Sequence, residues 1–264
     1  MSSERKCGIE QQYRTRALFL PEEKKFTRAL YERAFPEDSA AYVDYYYREK
    51  CRDNIIFVRE ECSPRENESF VQGDSFVRED LFTRGDGTGE TARLLSMAHL
   101  NPYLLSVCGM PVRTFMIAAV ATEEERRREG HMRAALLACF DFLAERKIPF
   151  TYLLPVDESI YEPFGFETVC AFSPKTETES GLISASQYDI FCIRDLAARE
   201  RLLEETELDK ADGSSGSGLP EHPVIMAKVT CPESFDRMAG ICFENNAARL
   251  AWLRGRKILL CDEV

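Results

Sequence analysis

The stretch from residue 116 to residue 132 combines residue types suited to binding an anion. An apolar run rich in small and β-branched residues ends at Val120-Ala121-Thr122, and a charged loop leads to Arg127-x-x-Gly130-x-Met132. A strand, a basic glycine loop and a new helix leave free N–H groups and positive dipole character at the helix start. The stretch therefore predicts an anion site. Backbone N–H groups should matter more there than the arginine side chains, because charge runs are usually solvated.

The elements that must position this loop follow from the hydrophobic pattern. Residues 113–120, before the loop, predict a strand. A stripe of apolar residues at helical spacing after the loop predicts a helix that ends near residues 146–147. Residues 149–154 then form a buried strand, 157–161 a short helix and 168–172 another strand. The first two of these strands should be parallel, joined by the helix. The helical stripe consists of Met132, Leu136, Phe140 and Leu143.

The composition is that of a folded globular chain. Of the 264 residues, 44% are hydrophobic and 30% are charged, which suits one large domain or two smaller ones. The formal net charge of -11 argues against nucleic-acid binding, which requires a basic face. The uncharged residues 94–112 are broken by Asn101, Pro102 and Gly109, so we predict strands and a turn rather than a membrane span.

Cysteine and histidine usage predicts neither a metal site nor a secreted protein. The ten cysteines form no CxxC pair and there are three histidines, so we expect no metal. The first residues lead into no apolar core of a signal peptide, so we expect none, and we interpret the cysteines as reduced core residues of a cytoplasmic protein.

The segments before the anion loop are helices and strands of a mixed fold. Residues 22–33 and 39–50 predict two helices, the second capped by Ser39, with a tyrosine cluster that favours packing on a sheet over lining a cleft. Residues 54–58 predict a strand, and 93–99 and 103–108 two strands separated by a turn at Asn101-Pro102. The polar insert 60–91 contains Gly85-Asp-Gly-Thr-Gly89. Its flanks are those of a flexible surface loop, with a short strand at 75–77 or 80–82.

Together these motifs resemble the GNAT superfamily of acyl-CoA-dependent N-acetyltransferases. That family has a strand, then [Gln/Arg]-x-x-Gly-x-[Gly/Ala], then a helix, and here Met132 replaces the final small residue. The flanking motifs fall in the order seen in the enhanced-intracellular-survival (Eis) acetyltransferases and their short bacterial relatives, and the resemblance covers about residues 26–172. These motifs are Leu100-Asn101-Pro102-Tyr103, Val120-Ala121-Thr122, Pro149-Phe150-Thr151 and Tyr161-Glu162-Pro163-Phe164-Gly165-Phe166-Glu167.

The resemblance implies an α/β (mixed α+β) fold with a central twisted sheet, flanking helices and a splayed parallel strand pair. It implies acetyl-CoA as cosubstrate, with the pantetheine arm between the splayed strands and a β-bulge whose N–H groups polarise the thioester. Tyr161 matches the family's tyrosine acid, and a packed tyrosine bonded to a carbonyl is the alternative. The cofactor-binding candidates are Val120, Thr122, Arg127, Arg128, Gly130, His131 and Met132.

The resemblance also divides the chain. We expect an acetyltransferase domain at 1–206, a Gly/Ser-rich linker at 207–219 and a truncated C-terminal α+β piece at 220–264. Longer Eis-like relatives end in a sterol-carrier-like domain, of which this piece would be a remnant packed on the first domain or on a partner subunit. Within it, 248–253 and 257–261 predict strands and 233–238 a helix start.

The leading hypothesis is a cytoplasmic N-acetyltransferase that transfers an acetyl group directly from acetyl-CoA to a primary amine. The acceptor would be a small molecule or a peptide, such as an aminoglycoside, a polyamine or lysine, with no nucleic acid, no membrane and homo-oligomerisation left open. The alternatives are a catalytically weak or inactive acyl-CoA-binding module, and an oligomeric scaffold. The general base is unassigned among the candidates, which are Asp157, Glu158, Glu162, His99, His131 and the carboxylate of Val264.

Overall fold

The structure is a computed structural model that describes residues 12–62, 92–172, 187–212 and 219–260. The predicted glycine loop at 85–89, the short strand at 75–77 or 80–82, residues 213–218 of the linker and Val264 lie outside these ranges. The strands of the described residues are β1 (Gln12–Leu18), β2 (Ile55–Cys62), β3 (Arg93–Val107), β4 (Met110–Thr122), β5 (Phe150–Leu153), β6 (Glu167–Ala171), β7 (Ile190–Cys192), β8 (Val224–Val229) and β9 (Ile258–Leu259).

Helices flank these strands along the described chain. None of them is long and apolar enough to cross a membrane. Short 3-10 turns lie at Lys25–Thr27, Glu124–Arg126, Glu158–Ile160 and Glu162–Phe164, and a π turn at Tyr46–Lys50. The helices are α1 (Pro21–Lys24), α2 (Arg28–Ala34), α3 (Ala40–Tyr45), α4 (Cys51–Asp53), α5 (His131–Glu145), α6 (Leu196–Asp212), α7 (Pro232–Ala239) and α8 (Asn246–Arg254).

One mixed sheet contains all these strands, in the order β1-β2-β3-β4-β5-β8-β6, with β7 on β3 and β9 on β7. Strands β1 to β4 are antiparallel neighbours, whereas β4 and β5 are parallel and α5 connects them. A parallel pair requires such a crossover, because a tight hairpin can join only antiparallel strands. The predicted mixed α/β fold and its strand–loop–helix–strand unit are confirmed.

Helices cover both faces of the sheet. On one face α5 buries its predicted stripe, including Leu136, Phe140 and Leu143. On the other face α2 and α3 bury tyrosines, and Tyr46 is fully enclosed, so the packing interpretation of the tyrosine cluster is confirmed. Ser39 caps α3 as predicted, because its hydroxyl accepts a hydrogen bond from the Tyr42 N–H at 3.1 Å.

The predicted turn at Asn101-Pro102 is wrong, because β3 runs unbroken through both residues. Pro102 lies opposite Phe115 of β4, while the pairing of β3 with β2 has already ended at Leu100. Proline is tolerated in a strand where its nitrogen has no ladder bond to donate. Strand β1 was not predicted at all, although it pairs with β2 over its full length.

The C-terminal residues join the main sheet. Strand β8 lies between β5 and β6, and α6 continues to Asp212, through the first half of the predicted linker at 207–219. The strand predicted at 248–253 is wrong, because Asn245 caps helix α8 by accepting from the Ala248 N–H at 2.9 Å. The helix predicted from 233 is confirmed as α7. The descent of this piece from a sterol-carrier-like domain stays a prediction.

The described cysteines are free thiols. Cys51, Cys139, Cys192 and Cys231 are buried as expected, but Cys108 and Cys242 are exposed, so not every cysteine is a core residue.

Candidate active site

Strands β4 and β5 separate halfway along β4. Within the described residues they pair only at Phe115–Thr151 and Met116–Tyr152. Strand β4 continues to Thr122, whereas β5 ends at Leu153. The edge of β4 over residues 117–122 therefore faces a gap rather than a neighbouring strand, as the predicted splayed pair requires.

A β-bulge lies beside this gap. Ala118 is opposite His99 and Ala121 is opposite Met97, so Ala119 and Val120 together face one residue of β3. Ala119 has φ +46°, in the left-handed region that alanine seldom adopts. Val120 thus lies outside the paired residues of both neighbouring strands, whereas Thr122, the other predicted backbone donor, lies opposite Ser96 of β3.

The loop between β4 and α5 leaves several N–H groups free. Arg128 and Gly130 both have positive φ, +68° and +86°, and α5 begins directly after Gly130. The Ala134 N–H makes the first bond of the helix, to the Gly130 oxygen at 3.0 Å. None of the hydrogen bonds found among the described residues uses the N–H groups of residues 128–133. These donors, with the dipole of a fifteen-residue helix behind them, are groups that an anion at a helix start would require.

An ionic network attaches this loop to the sheet. The Arg126 guanidinium donates to Glu129 at 2.9 Å, to Glu61 of β2 at 3.0 Å and to the Tyr13 hydroxyl of β1 at 3.0 Å. Its side chain is only 13% exposed, and hydrogen bonding to Glu129 and Glu61 raises its pKa. Glu129 also lies 3.1 Å from Nε2 of His131, whose ring packs on Tyr13. Arg126 is therefore occupied by protein partners, which sequence reasoning missed.

The other predicted cofactor-binding residues lie along the same edge. Arg127 and Arg128 are exposed on the loop, and Met132 is half-buried against the cluster under α5. The Thr122 hydroxyl donates to Ser96 at 2.9 Å, which ties the end of β4 to β3. The structure thus places the predicted residues in one continuous segment, from the bulge to the first turn of α5.

Tyr161 follows β5, the other strand of the separated pair, and lies between two 3-10 turns. Its ring packs edge-on against Phe166 at 6.0 Å, and its hydroxyl has no hydrogen-bond partner among the described residues. Burial raises the pKa of Tyr161 to about 12. Lys228 fixes this turn, because its Nζ donates to the Phe164 oxygen at 2.6 Å and lies 5.0 Å from the Phe140 ring of α5.

Three of the candidate general bases are engaged in other contacts, whereas Glu162 is exposed beside Tyr161. His99 is fully buried with Nδ1 2.9 Å from the Tyr46 hydroxyl, and burial lowers its pKa to about 3. Asp157 caps the turn before Tyr161, and its bonds from the Ser159 hydroxyl and N–H lower its pKa. Glu158 accepts a hydrogen bond from a threonine of β6.

In the part of the chain that the structure describes, no three His, Cys, Asp or Glu side chains are grouped so as to hold a metal ion.

The site thus combines a mixed sheet whose parallel pair opens at a bulge with a glycine loop at a helix start. A family model described as "Acetyltransferase (GNAT) domain" matches residues 27–169, more than half of the 264-residue chain. The chain belongs to the GNAT acetyltransferase family, whose members use acetyl-CoA. No curated protein matches it.

Solved structures resemble this chain at low sequence identity. A conserved protein of unknown function from Enterococcus faecalis V583, a probable N-acyltransferase, is 14% identical with a TM-score of 0.50, over 85% of this chain and 74% of that one. Eis1 from Mycobacterium abscessus is 17% identical with a TM-score of 0.39, over 60% of this chain and 33% of Eis1. YhbS from Escherichia coli, solved in complex with CoA, is 17% identical with a TM-score of 0.39, over 63% of this chain and 73% of YhbS.

Proposed function

We propose that this protein transfers an acetyl group from acetyl-CoA directly to a primary amine. The observation that supports this most is the gap beside β4, which begins after the Met116–Tyr152 pair and runs past the bulge. A pantetheine arm contains amide groups, which can hydrogen-bond to a free strand edge as another strand would. At the end of that edge, the N–H groups of residues 128–133 would hold the pyrophosphate, with Arg127 and Arg128 adding charge.

Each side of the gap has a chemical role in this proposal. Acetyl-CoA supplies the acetyl group as a thioester. The backbone N–H groups of Val120 and Thr122 would donate to the thioester carbonyl and stabilise the negative charge that develops on its oxygen. The Tyr161 hydroxyl would hold the proton that the departing sulfur takes up. A tyrosine hydroxyl is protonated at neutral pH, as a general acid must be, and burial, which raises its pKa, does not change this.

We infer a place in the Eis-like branch of the family, supported by the run from Tyr161 to Glu167 and by the order of the flanking motifs. The acceptor would then be a small-molecule or peptide amine, such as an aminoglycoside, a polyamine or lysine.

A second candidate is an acyl-CoA-binding module without efficient catalysis. It is favoured by the engaged state of His99, Asp157 and Glu158, which leaves the exposed Glu162 as the carboxylate beside Tyr161 that makes no hydrogen bond or ion pair with the described residues. Thiol release from acetyl-CoA, measured with and without a panel of amines, separates the two when combined with calorimetry of acetyl-CoA binding. Turnover on an amine supports the transferase. Binding without turnover favours the module, and absence of binding excludes both.

Arg127→Ala is expected to weaken CoA binding about two- to fivefold without abolishing it. The side chain is exposed, and an exposed charge contributes little beside fixed N–H donors. Calorimetric titration with CoA measures the change. Arg113→Ala, another exposed arginine on the distal part of β4, is the control and should bind normally. Unchanged affinity in the Arg127 variant would remove this side chain from the site.

Gly130→Ala is expected to weaken CoA binding about tenfold, because alanine at φ +86° costs roughly 1–2 kcal/mol and the loop can relieve that strain by moving. No atom lies within 4 Å of the added Cβ, so the effect is conformational rather than a steric clash. Gly109→Ala is the matched control. It has φ +84° and the same open space, but lies in the β3–β4 hairpin. Both variants place alanine in the left-handed region, and only the Gly130 variant should lose affinity. Equal affinities would contradict the placement of the anion at this loop.

A further inference from the structure

Two buried threonines cross-link β4 and β5 just before the strands separate. The Thr151 hydroxyl of β5 donates to the Phe115 oxygen of β4 at 2.7 Å. In the reciprocal direction, the Thr114 hydroxyl of β4 donates to the Phe150 oxygen of β5 at 2.5 Å. Both threonines are completely buried. We call these two residues and their bonds the threonine clamp.

The clamp acts on both faces of the sheet. Phe115 lies directly opposite Thr151, so these two side chains share a face. Thr114 precedes Phe115, and successive side chains of a strand alternate, so its hydroxyl lies on the other face. The next pair along the strands, Met116 and Tyr152, is the last one before the gap.

We propose that Thr114 and Thr151 are positioning residues that fix where β4 and β5 separate, and thereby set the gap into which the pantetheine arm enters. This inference rests on the proposed function. Adjacent parallel strands tend either to continue pairing or to separate further, and either change would alter the length of free edge on β4. On each face of the sheet, a threonine hydroxyl donates to a buried carbonyl oxygen of the other strand. These two bonds resist separation of β4 from β5 on the side of the clamp away from the gap. On the other side of the clamp, the bulge at Ala119–Val120 prevents β4 from pairing regularly.

Valine tests the clamp, because it replaces the hydroxyl by a methyl group and keeps the β-branched shape. Thr114→Val and Thr151→Val are each expected to weaken binding of CoA about tenfold in calorimetry, the effect of losing one buried hydrogen bond at the site. Thr114→Ser and Thr151→Ser keep the hydroxyl and should bind like the wild type. The two positions are tested separately, so the CoA affinity measured at either position alone supports or contradicts the proposal.

Thr230→Val is the matched control for stability. The Thr230 hydroxyl also donates to a backbone oxygen, that of Ile148 at 2.6 Å, but after β8 and away from the gap. It should lower the Tm and leave CoA affinity unchanged. If the clamp variants behave in the same way, with lower Tm and normal affinity, the clamp is only structural and the inference is overturned. If the wild type binds no CoA, the proposed function fails and this inference with it.

Amide hydrogen exchange of the wild-type protein supplies a test that needs no substitution. Residues 114–116 and 151–152 should be strongly protected, with a sharp fall in protection at 119–120. Addition of CoA should then protect 119–120. The inference would be overturned if residues 114–116 were unprotected, or if bound CoA left the protection of residues 119–120 unchanged.

Discussion

Replacing Tyr161 by phenylalanine is expected to lower the rate of acetyl transfer by about 100-fold or more, the usual contribution of a positioned general acid. Affinity for acetyl-CoA and the Tm should not change. The ring packs on Phe166 and would remain, and the hydroxyl has no partner among the described residues whose loss would destabilise the fold. Steady-state kinetics on any accepted amine, together with calorimetry, measures both quantities.

Tyr45→Phe is the control with the opposite expectation. The Tyr45 hydroxyl donates to the Arg201 oxygen at 2.8 Å and joins α3 to α6, so this variant should lose stability and keep turnover. Equal turnover in the wild type and the Tyr161 variant would remove Tyr161 from the mechanism.

The pH dependence of turnover gives an independent check on the same residue. A general acid must be protonated, and burial raises the pKa of Tyr161 to about 12. Loss of its proton should therefore not limit turnover between neutral pH and about pH 11. A fall in the rate near pH 10, the ordinary pKa of a tyrosine, that is absent in Tyr161→Phe would show that the hydroxyl is not buried as described.

Short-range patterns carried most of what the sequence could predict. The stripe of α5 repeats at helical spacing, Gly130 marks its start, and Pro149 introduces the buried strand that becomes β5. These signals lie within one continuous segment, so local propensity and the final packing favour the same structure. The parallel β4–β5 pair then follows from the crossover.

Contacts between distant parts of the chain could not be predicted in this way. Strand β8 enters the sheet between β5 and β6, and nothing local in residues 224–229 specifies these neighbours. Arg126 meets Glu61 and Tyr13 across 65 and 113 residues of sequence. The clamp bonds span 36 residues. Asn101-Pro102 carries a turn signal, but the long pairing of β3 with β4 outweighs it.

Arg126→Met is expected to weaken acetyl-CoA binding about tenfold or more, a larger effect than removal of the exposed Arg127. Methionine keeps much of the side-chain length but leaves the carboxylates of Glu61 and Glu129 without their shared cation. Two negative charges beside the helix start would then repel a pyrophosphate group, and like charges placed together are costly. Loss of the Tyr13 contact would also release the loop from β1. Calorimetry with CoA and acetyl-CoA measures the change.

Charge repulsion and loss of loop order predict different behaviour in a second variant. Glu129→Gln, added to Arg126→Met, removes one of the two uncompensated charges and should recover part of the affinity if repulsion dominates. High salt should also narrow the difference between Arg126→Met and the wild type, because the Debye length falls to about 3 Å at 1 M ionic strength. If neither change restores affinity, Arg126 acts by fixing the loop against β1 and β2. If Arg126→Met binds normally from the start, the loop keeps its conformation without the network, and the free N–H groups of residues 128–133 are sufficient for the anion.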